Sequence, residues 1–482
     1  MSRRVHTATV AALSLAITLG AAVSGGGCAL MFDYSDYTAA GTGGAGGGDA
    51  TTSSSGTTGA GGGTQPDHLW SKRFGDTDLD VVGYPGLDLD PTGDAVFITG
   101  AFGGKIDLGN NTDPLTSSKF GFFLARLDAK TGLPSWSRSV ANTTSTVPSL
   151  AATADGGVVV AGSFDITATI AGATAASAGL HDVFVARYDG GGAQQWAHRF
   201  GDPSDQLVSA VAVDPSGNVY LTGEFQGQLD LGPGCSSMSA VMSGFNNGFV
   251  ARLSSAGDCL WLEKFGDHAY GSSLSADADG VTLGGAITGP TTFGGTTIGS
   301  ATKGSFVARY NLMGVSTFAT IVPGQEVQVV NDPVSHQVFF GTTAPGMGVG
   351  DVKVGELDPQ GDPLWLKSYS GTGSIHLASI TRTVGGDLVI SGDATGDIDF
   401  GAPLAVNHGF QDMFVARLSA AGATLGCVEL GDAKPQFGRN VRVDKQGYAY
   451  LYGDFQGSID FGAGNLTTAG NFDVAVARLK LP

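Results

Sequence analysis

All tryptophans of the chain occupy one place in a repeated unit, and this periodicity constrains the fold more than any other feature. Each lies five residues before a small residue that ends the unit; they are Trp70, Trp136, Trp196, Trp261 and Trp365. A second phrase, F-V-A-R-L or a relative of it, occurs seven times with a period of about 60 residues. Its fourth residue is Glu356 in the fifth copy and arginine in the others: Arg126, Arg187, Arg252, Arg309, Arg417 and Arg478. A period of this length indicates repeated supersecondary units.

The clearest copy of the unit predicts four antiparallel strands. Residues 207–213 and 219–223 are apolar runs joined by D-P-S-G-N, in which Pro presets φ and Gly tolerates a positive φ. Residues 249–253 and 259–265 form a second pair around S-S-A-G-D. No part of the repeat shows a sustained helical period. Each unit therefore predicts one four-stranded antiparallel sheet.

Seven such units predict an all-β, seven-bladed β-propeller. The first copy begins with only its fourth strand, residues 68–74, and the last copy ends after its third, at Lys480. The N-terminal strand is therefore expected to complete the seventh blade and close the ring, which leaves few exposed edges. An alternative places the blade boundary at the long segment between the second and third strands; the count of seven is the same.

These phrases resemble a known repeat. A-V-D-P-S-G-N-V-Y-L-T-G (residues 212–223), followed by G-F-V-A-R-L-S-S-A-G (residues 248–257), resembles the SBBP-type β-propeller repeat of bacterial surface and secreted proteins, and is similar to the NHL repeat. The resemblance covers most of residues 66–481 and is weakest in the fourth and fifth copies. It implies an exported propeller and brings no catalytic residues.

The first residues predict export. Residues 1–27 combine Arg3 and Arg4 with an apolar run at 7–23 that is short for a membrane-spanning helix and fits a signal peptide. Cys28 follows small residues, as in the lipobox of bacterial lipoproteins, although Gly25 stands where that family has leucine. The resemblance implies cleavage before Cys28 and lipidation of its thiol. Ordinary cleavage nearby and an uncleaved anchor are the alternatives.

Residues 28–65 carry the anchor cysteine and a linker rich in Gly, Ala, Ser and Thr. Such a composition offers too little apolar surface to offset the entropy of ordering, so we expect a flexible tether. The propeller then spans residues 66–482. Ala29 stands where an inner-membrane retention signal would have aspartate, so we expect an outer-membrane or cell-surface lipoprotein of a Gram-negative-type bacterium.

The charge of the chain argues against some partners. Its formal net charge is −19. Because nucleic-acid phosphates require a basic surface, we expect no nucleic-acid partner. Anionic lipid would also repel the domain, so the membrane contact is expected through the acyl anchor only. The expected partner is a protein or glycan of unknown identity.

The remaining cysteines have different interpretations. Cys235 and Cys259 lie in one unit, and an exported protein meets an oxidising compartment, so we predict a disulfide between them. Cys427 is interpreted as a buried small residue. No C-x-x-C or H-E-x-x-H motif occurs, so no metal centre is predicted.

The recurring Arg and Trp residues are interpreted as structural. The alternatives are a ring of cations in the central channel and an exposed aromatic row for glycan stacking. A further recurring phrase, Asp-Leu/Phe-Gly, is interpreted as a turn; its aspartates are Asp107, Asp230, Asp399 and Asp460. Calcium is the alternative for these carboxylates and for Asp88, Asp90 and Asp94, although no loop has the full ligand pattern. No cofactor is otherwise expected.

No complete catalytic motif accompanies the repeat. We therefore expect a non-catalytic interaction or scaffold module; the alternative is an extracellular enzyme acting on a polysaccharide or another polymer. Specificity is expected in the long segments between second and third strands, such as residues 103–119 and 226–247. We expect turns and long loops to gather on one binding face.

Overall fold

The computed structural model describes residues 66–481 apart from 78–79, 110–113, 143–147, 166, 171–172, 241–245, 268, 301–302, 344–349 and 402–404. The predicted signal peptide, Cys28 and the linker lie outside the described residues. Within the described part there is no helix, and hence none long and apolar enough to span a bilayer.

Seven antiparallel sheets form the seven predicted blades; six have four strands, and the sheet of blade five has a short fifth strand as well. Blade one contains the strands Asp80–Leu89, Ala95–Ile106, Leu115–Asp128 and Pro134–Asn142, and blade two contains Ser149–Ala152, Val158–Phe164, Asp182–Tyr188 and Gln194–Phe200. Blade three contains Gln206–Val213, Val219–Phe225, Asn247–Leu253 and Cys259–Asp267, and blade four contains Ala269–Asp277, Gly280–Ile287, Gly304–Asn311 and Ser316–Val322. Blade five contains Gln325–Asn331, Val338–Thr343, Asp351–Leu357 and Pro363–Gly371, and blade six contains Ile375–Arg382, Leu388–Ala394, Asp412–Leu418 and Thr424–Leu430. Blade seven contains Gln436–Val443, Tyr448–Phe455, Asp473–Lys480 and, as its fourth strand, Asp67–Phe74.

The ring closes as predicted. Asp67–Phe74 pairs antiparallel with Asp473–Lys480, so the N-terminal strand is the fourth strand of blade seven. The first strands of neighbouring blades pack against each other around the whole circle, including blade seven against blade one. The predicted all-β, seven-bladed fold is confirmed.

Apolar side chains between adjacent blades hold the ring together. At the closure, Trp70 and Tyr450 of blade seven share one buried cluster with Ile98 and Phe123 of blade one. Comparable clusters lie at other junctions, for example Phe306 of blade four with Tyr220 of blade three. Burial of apolar area between blades is therefore the main stabilising contribution.

The long segments between second and third strands are more regular than the sequence indicated. In blade one the strands continue to Ile106 and resume at Leu115. Elsewhere these segments contain small hairpins: Thr167–Ile170 with Ala173–Ala176, Gln228–Leu229 with Met238–Ser239, Thr291–Phe293 with Thr296–Ile298, and Ser458–Asp460 with Asn465–Thr467. Ile398–Asp399 pairs with the fourth strand of blade five. The described parts of residues 103–119 and 226–247 are thus not simple loops, because their apolar residues alternate and anchor short strands.

The strand order separates the ring into two faces. The turns between first and second strands and between third and fourth strands lie on one face, here the turn face. The segments between second and third strands and the blade-to-blade connections lie on the other, here the hairpin face. The expectation that turns and long loops gather together is therefore wrong, since successive strand connections of an antiparallel blade alternate between its two ends.

Candidate functional site

The recurring tryptophans fasten each blade to the next on the turn face. The indole Nε1 atoms donate hydrogen bonds to carbonyl oxygens of the neighbouring blade's third-to-fourth turn: Trp70 to Ala129 (3.0 Å), Trp136 to Gly190 (2.9 Å), Trp196 to Ser255 (2.9 Å) and Trp261 to Leu312 (3.1 Å). Trp365 instead donates to the carboxylate of Glu356 in its own blade. The tryptophans therefore have structural partners within the ring.

The recurring arginines pair with carboxylates at the first-to-second turn of their own blades. The pairs are Arg187 with Asp155, Arg252 with Asp214, Arg309 with Asp277, Arg417 with Asp387 and Arg478 with Asp444, at 2.7 to 3.1 Å. Arg126 donates to Ser135 at 3.3 Å. In blade five, where Glu356 replaces the arginine, Asp332 pairs with Arg382 of blade six at 2.9 Å. These arginines lie on third strands and not on the first strands around the channel.

Cys235 and Cys259 are joined in a disulfide with their Cα atoms 5.6 Å apart. The bond ties the hairpin segment of blade three to the start of its fourth strand. Cys427 is buried and lies outside the disulfide, and burial raises the pKa of its thiol to about 11. A thiol in that state is a poor nucleophile at neutral pH.

The Asp-Leu/Phe-Gly phrases anchor the segments on the hairpin face. In each case the aspartate carboxylate accepts the backbone N–H of a glycine two residues later, at 2.7 to 2.9 Å; the pairs are Asp107–Gly109, Asp230–Gly232, Asp399–Gly401 and Asp460–Gly462. Its apolar neighbours are buried, as with Ile459 and Phe461. Across the described residues no group of three or more His, Cys, Asp or Glu side chains is arranged to hold a metal ion.

Asp88 and Asp90 are also engaged by the protein. Asp88 accepts from the backbone N–H of Ala152 at 2.9 Å and from Arg442 at 3.1 Å. Asp90 accepts from the N–H and the hydroxyl of Thr92, at 3.0 and 2.9 Å. These carboxylates join blade one to its neighbours and shape its first turn.

One His–carboxylate cluster falls outside the repeat pattern. Nε2 of His376 lies 2.9 Å from Oε2 of Glu326, and Nδ1 lies 3.2 Å from Oδ2 of Asp393. Glu326 and His376 belong to the first strands of blades five and six, which border the channel. Glu326 has a φ of +53°, rare for a residue with a side chain. The hydrogen bond from His376 lowers the pKa of Glu326 despite its burial.

Blade six also contains a buried carboxylate pair. Glu429 occupies the position on the fourth strand of its blade at which blade two has Arg199 and blade seven has Arg73. Those arginines pair with Asp182 and Asp473, respectively. Glu429 thus lies near Asp412 without that cation, and neither oxygen of Glu429 has a hydrogen bond of normal geometry. Burial, then the nearby Asp412, raises the pKa of Glu429 to about 8; the Asn407 side chain opposes this less strongly. Burial also raises the pKa of Asp412.

Two clefts flank blade seven on the turn face. The cleft between blades six and seven has a volume of about 300 Å³ and includes Asp387, Arg417, Lys445 and Lys480 in its wall. The cleft between blades seven and one has a volume of about 210 Å³ and shares Lys445. Neither cleft is indicated by the sequence, because the walls of both come from turns far apart in the chain.

A comparison with known families matches one stretch of the repeat. Residues 195–224 match the SBBP β-propeller repeat. The stretch runs from the outer strand of blade two to the second strand of blade three. Together with the seven blades it confirms the resemblance seen in the sequence. No curated protein matches the chain.

The chain is similar to several solved structures at low sequence identity. The Dos1 propeller is 10% identical with a TM-score of 0.46, covering 86% of this chain and 94% of that one. The polysaccharide lyase Uly1 is 10% identical with a TM-score of 0.45, covering 86% and 100%. Quinohemoprotein alcohol dehydrogenase from Comamonas testosteroni is 10% identical with a TM-score of 0.40, covering 86% and 76%.

Proposed function

We propose that the protein is an exported, lipid-anchored β-propeller that acts as a non-catalytic interaction or scaffold module at the cell surface. One observation carries the proposal. The polar residues that recur from blade to blade form hydrogen bonds and ion pairs within the ring, whereas the segments on the hairpin face differ between blades. A rigid scaffold with variable segments on one face is typical of a binding protein.

Blade three illustrates such a segment. Leu229 and Leu231 are buried and hold the segment to the blade, while the disulfide at Cys235 fixes its far side. Asp230 and Ser237 remain exposed. An anchored backbone with exposed polar groups loses little conformational entropy when it binds a partner.

The entry point of the chain supports the same arrangement. The outer strand of blade seven begins at Asp67, which pairs with Lys480 at the turn face. A tether formed by residues 28–65 would therefore join the ring on the turn face and leave the hairpin face on the opposite side. The expected attachment through Cys28 agrees with a hairpin face presented to external partners.

A segment exchange tests the binding face. Residues 226–246 of blade three are replaced by residues 456–472 of blade seven, with Cys259→Ser to avoid a free thiol. We expect the set of ligands captured from a glycan array and an extracellular protein extract to change while the melting temperature stays within a few degrees of the matched Cys235→Ser/Cys259→Ser control. An unchanged ligand set would contradict the proposal for this segment.

Membrane attachment is tested at Cys28. Cys28→Ala should move the protein from the membrane fraction to the soluble fraction, because acyl chains supply the membrane affinity. Cys427→Ala is the matched control and should remain in the membrane fraction. A Cys28→Ala protein that still sediments with membranes, and a wild type without acyl mass, would refute the anchor.

The enzyme alternative rests on the Glu326–His376–Asp393 cluster. A histidine between two carboxylates can take and release a proton near neutral pH. The test is an assay of purified residues 66–482 against polysaccharide, ester and peptide substrates. Turnover that is lost in His376→Gln but retained in His336→Gln would favour the enzyme and overturn the non-catalytic proposal.

A further inference from the structure

The repeat is interrupted at one place on the turn face, between blades six and seven. The third strand of blade seven ends at Lys480 and its fourth strand begins at Asp67, so no turn connects them in sequence. Blade six also lacks the tryptophan that would contact such a turn. Gly426 lies opposite Arg417, at the position that Trp136 occupies opposite Arg126.

Two intact junctions show how a turn of the next blade fills this position. At the junction of blades two and three, the carbonyl oxygen of Ser255 accepts hydrogen bonds from Nη1 of Arg187 at 2.7 Å and from Trp196 at 2.9 Å. At the next junction, the carbonyl oxygen of Leu312 accepts from Nη1 of Arg252 at 2.8 Å and from Trp261 at 3.1 Å. At these two junctions the arginine therefore has two partners, its own turn carboxylate and a carbonyl of the next blade's turn. Arg126, Arg309 and Arg478 instead donate to groups of their own blades.

Arg417 has only the first of these partners. Its Nε and Nη2 donate to Oδ2 of Asp387 at 3.1 and 2.8 Å. In the described part of the chain, Nη1 has no acceptor equivalent to Ser255 or Leu312. The open position belongs to the cleft of about 300 Å³, whose wall includes Arg417.

Two lysines give this cleft a positive charge in an acidic protein. Lys445 is exposed, and no ion pair joins it to a described residue. Lys480 is 63% exposed and lies 3.9 Å from Asp67, a loose surface contact. Asp387 is balanced by Arg417, so the cleft has a net positive charge although the chain carries −19.

We propose that this cleft binds an acidic turn of a partner protein. A backbone carbonyl of the turn accepts from Nη1 of Arg417, as Ser255 does from Arg187, and carboxylates of the turn pair with Lys445 and Lys480. The equivalent positions at intact junctions hold a polypeptide turn, which favours a peptide over a sugar polymer. This site lies on the face opposite the hairpins and is separate from the binding face proposed above.

The probe is a cyclic peptide containing S-S-A-G-D, the turn at residues 254–258 that Arg187 and Trp196 contact, with one added Asp on each side. Fluorescence polarisation measures its binding to the full chain at low and high salt. We expect saturable binding that weakens with salt, since exposed charges are screened. Lys445→Gln combined with Lys480→Gln should weaken binding about tenfold at low salt. Lys130→Gln, on a turn already covered by Trp70, is the matched control and should change nothing.

A second variant fills the cleft with the side chain that other blades use. Gly426→Trp should abolish peptide binding while the melting temperature is retained, because the chain already packs this residue in five blades. Absence of peptide binding by the wild-type chain would overturn the proposal. Equal binding of an oligogalacturonate with the same lysine dependence would also overturn it, because it would show a general polyanion site.

Discussion

The indole Nε1 of Trp70 lies 3.0 Å from the carbonyl oxygen of Ala129 and closes the ring through a side chain as well as through backbone pairing. Trp70 belongs to the N-terminal strand of blade seven, and Ala129 to the third-to-fourth turn of blade one. Gly132 of that turn has a φ of +67°, and a Cβ there would lie 2.6 Å from the indole. The turn therefore needs glycine for its backbone conformation and for its contact with Trp70.

Loss of the N-terminal strand should destabilise the whole ring. Deletion of residues 67–75 removes the partner of Asp473–Lys480 and exposes that edge together with the cluster around Trp70. We expect a lower midpoint and a broader transition in urea unfolding. Deletion of residues 41–49 in the linker is the control of equal length and should leave the midpoint unchanged. An unaltered transition in the strand deletion would rule out closure by this strand.

Two substitutions separate the contribution of the Trp70 hydrogen bond to stability from the contribution of its aromatic side chain. Trp70→Phe keeps an aromatic ring but leaves the Ala129 carbonyl without its indole donor, which should lower the free energy of unfolding by about 1 kcal/mol. Trp70→Ala also opens a cavity between blades and should cost about 3–5 kcal/mol. Equilibrium urea unfolding measures both. Equal effects would show that Trp70 acts through its hydrogen bond alone.

Arg309 and Arg187 allow a comparison between a recurring arginine with a buried carboxylate partner and one with an exposed carboxylate partner. Arg309 is 7% exposed, and its Nη2 donates to both carboxylate oxygens of the buried Asp277 at 2.8 Å. Arg309→Ala leaves that carboxylate buried without its cation and should lower the free energy of unfolding by about 3–5 kcal/mol. Arg187→Ala, whose partner Asp155 is 62% exposed, should cost about 1 kcal/mol or less. Similar losses for the two variants would contradict this account.

The two repeated phrases predicted the strands well, but they did not show that the recurring arginine and the recurring tryptophan of a blade lie opposite each other on neighbouring strands. Arg126 lies directly opposite Trp136, and Arg252 opposite Trp261, on neighbouring strands. A register shift follows the arginine in each of these blades. The sequence predicted the periodicity, whereas the partner of every tryptophan except Trp365 belongs to the next blade and is set by packing between blades.

The candidate sites were harder to predict because they depart from the repeat. Glu326 and His376 lie 50 positions apart on different blades, and no local motif joins them. The signal at Glu429 was available in the sequence: it aligns with Arg73 and Arg199. The significance of that difference depends on Asp412, whose burial only the three-dimensional arrangement shows.

The Cys235–Cys259 disulfide should stabilise blade three and its hairpin segment. It closes a loop of 24 residues, for which the loss of entropy in the unfolded chain corresponds to about 3 kcal/mol. Cys235→Ser/Cys259→Ser should lower the free energy of unfolding by about that amount without changing the blade count. Urea unfolding with and without reductant measures the difference. A wild type whose stability is insensitive to reductant, with both thiols free in peptide mapping, would refute the bond.

The pair of Glu429 and Asp412 should make stability depend on pH in a defined direction. The pKa of Glu429 is about 8 in the folded protein against an ordinary 4.5. As pH rises above 4.5 the unfolded chain loses this proton while the folded chain keeps it, so the free energy of unfolding falls until the pH passes about 8. Glu429→Gln stays neutral and should remove this part of the decline, which is a few kcal/mol at most.

Glu429→Arg should go further and stabilise the protein at neutral pH, because it restores the pairing that Arg199 makes with Asp182 in blade two. Urea unfolding at about pH 5, 7 and 9 measures how the free energy of unfolding depends on pH in the wild type and in both variants. A decline in Glu429→Gln equal to that of the wild type would show that another group controls this dependence.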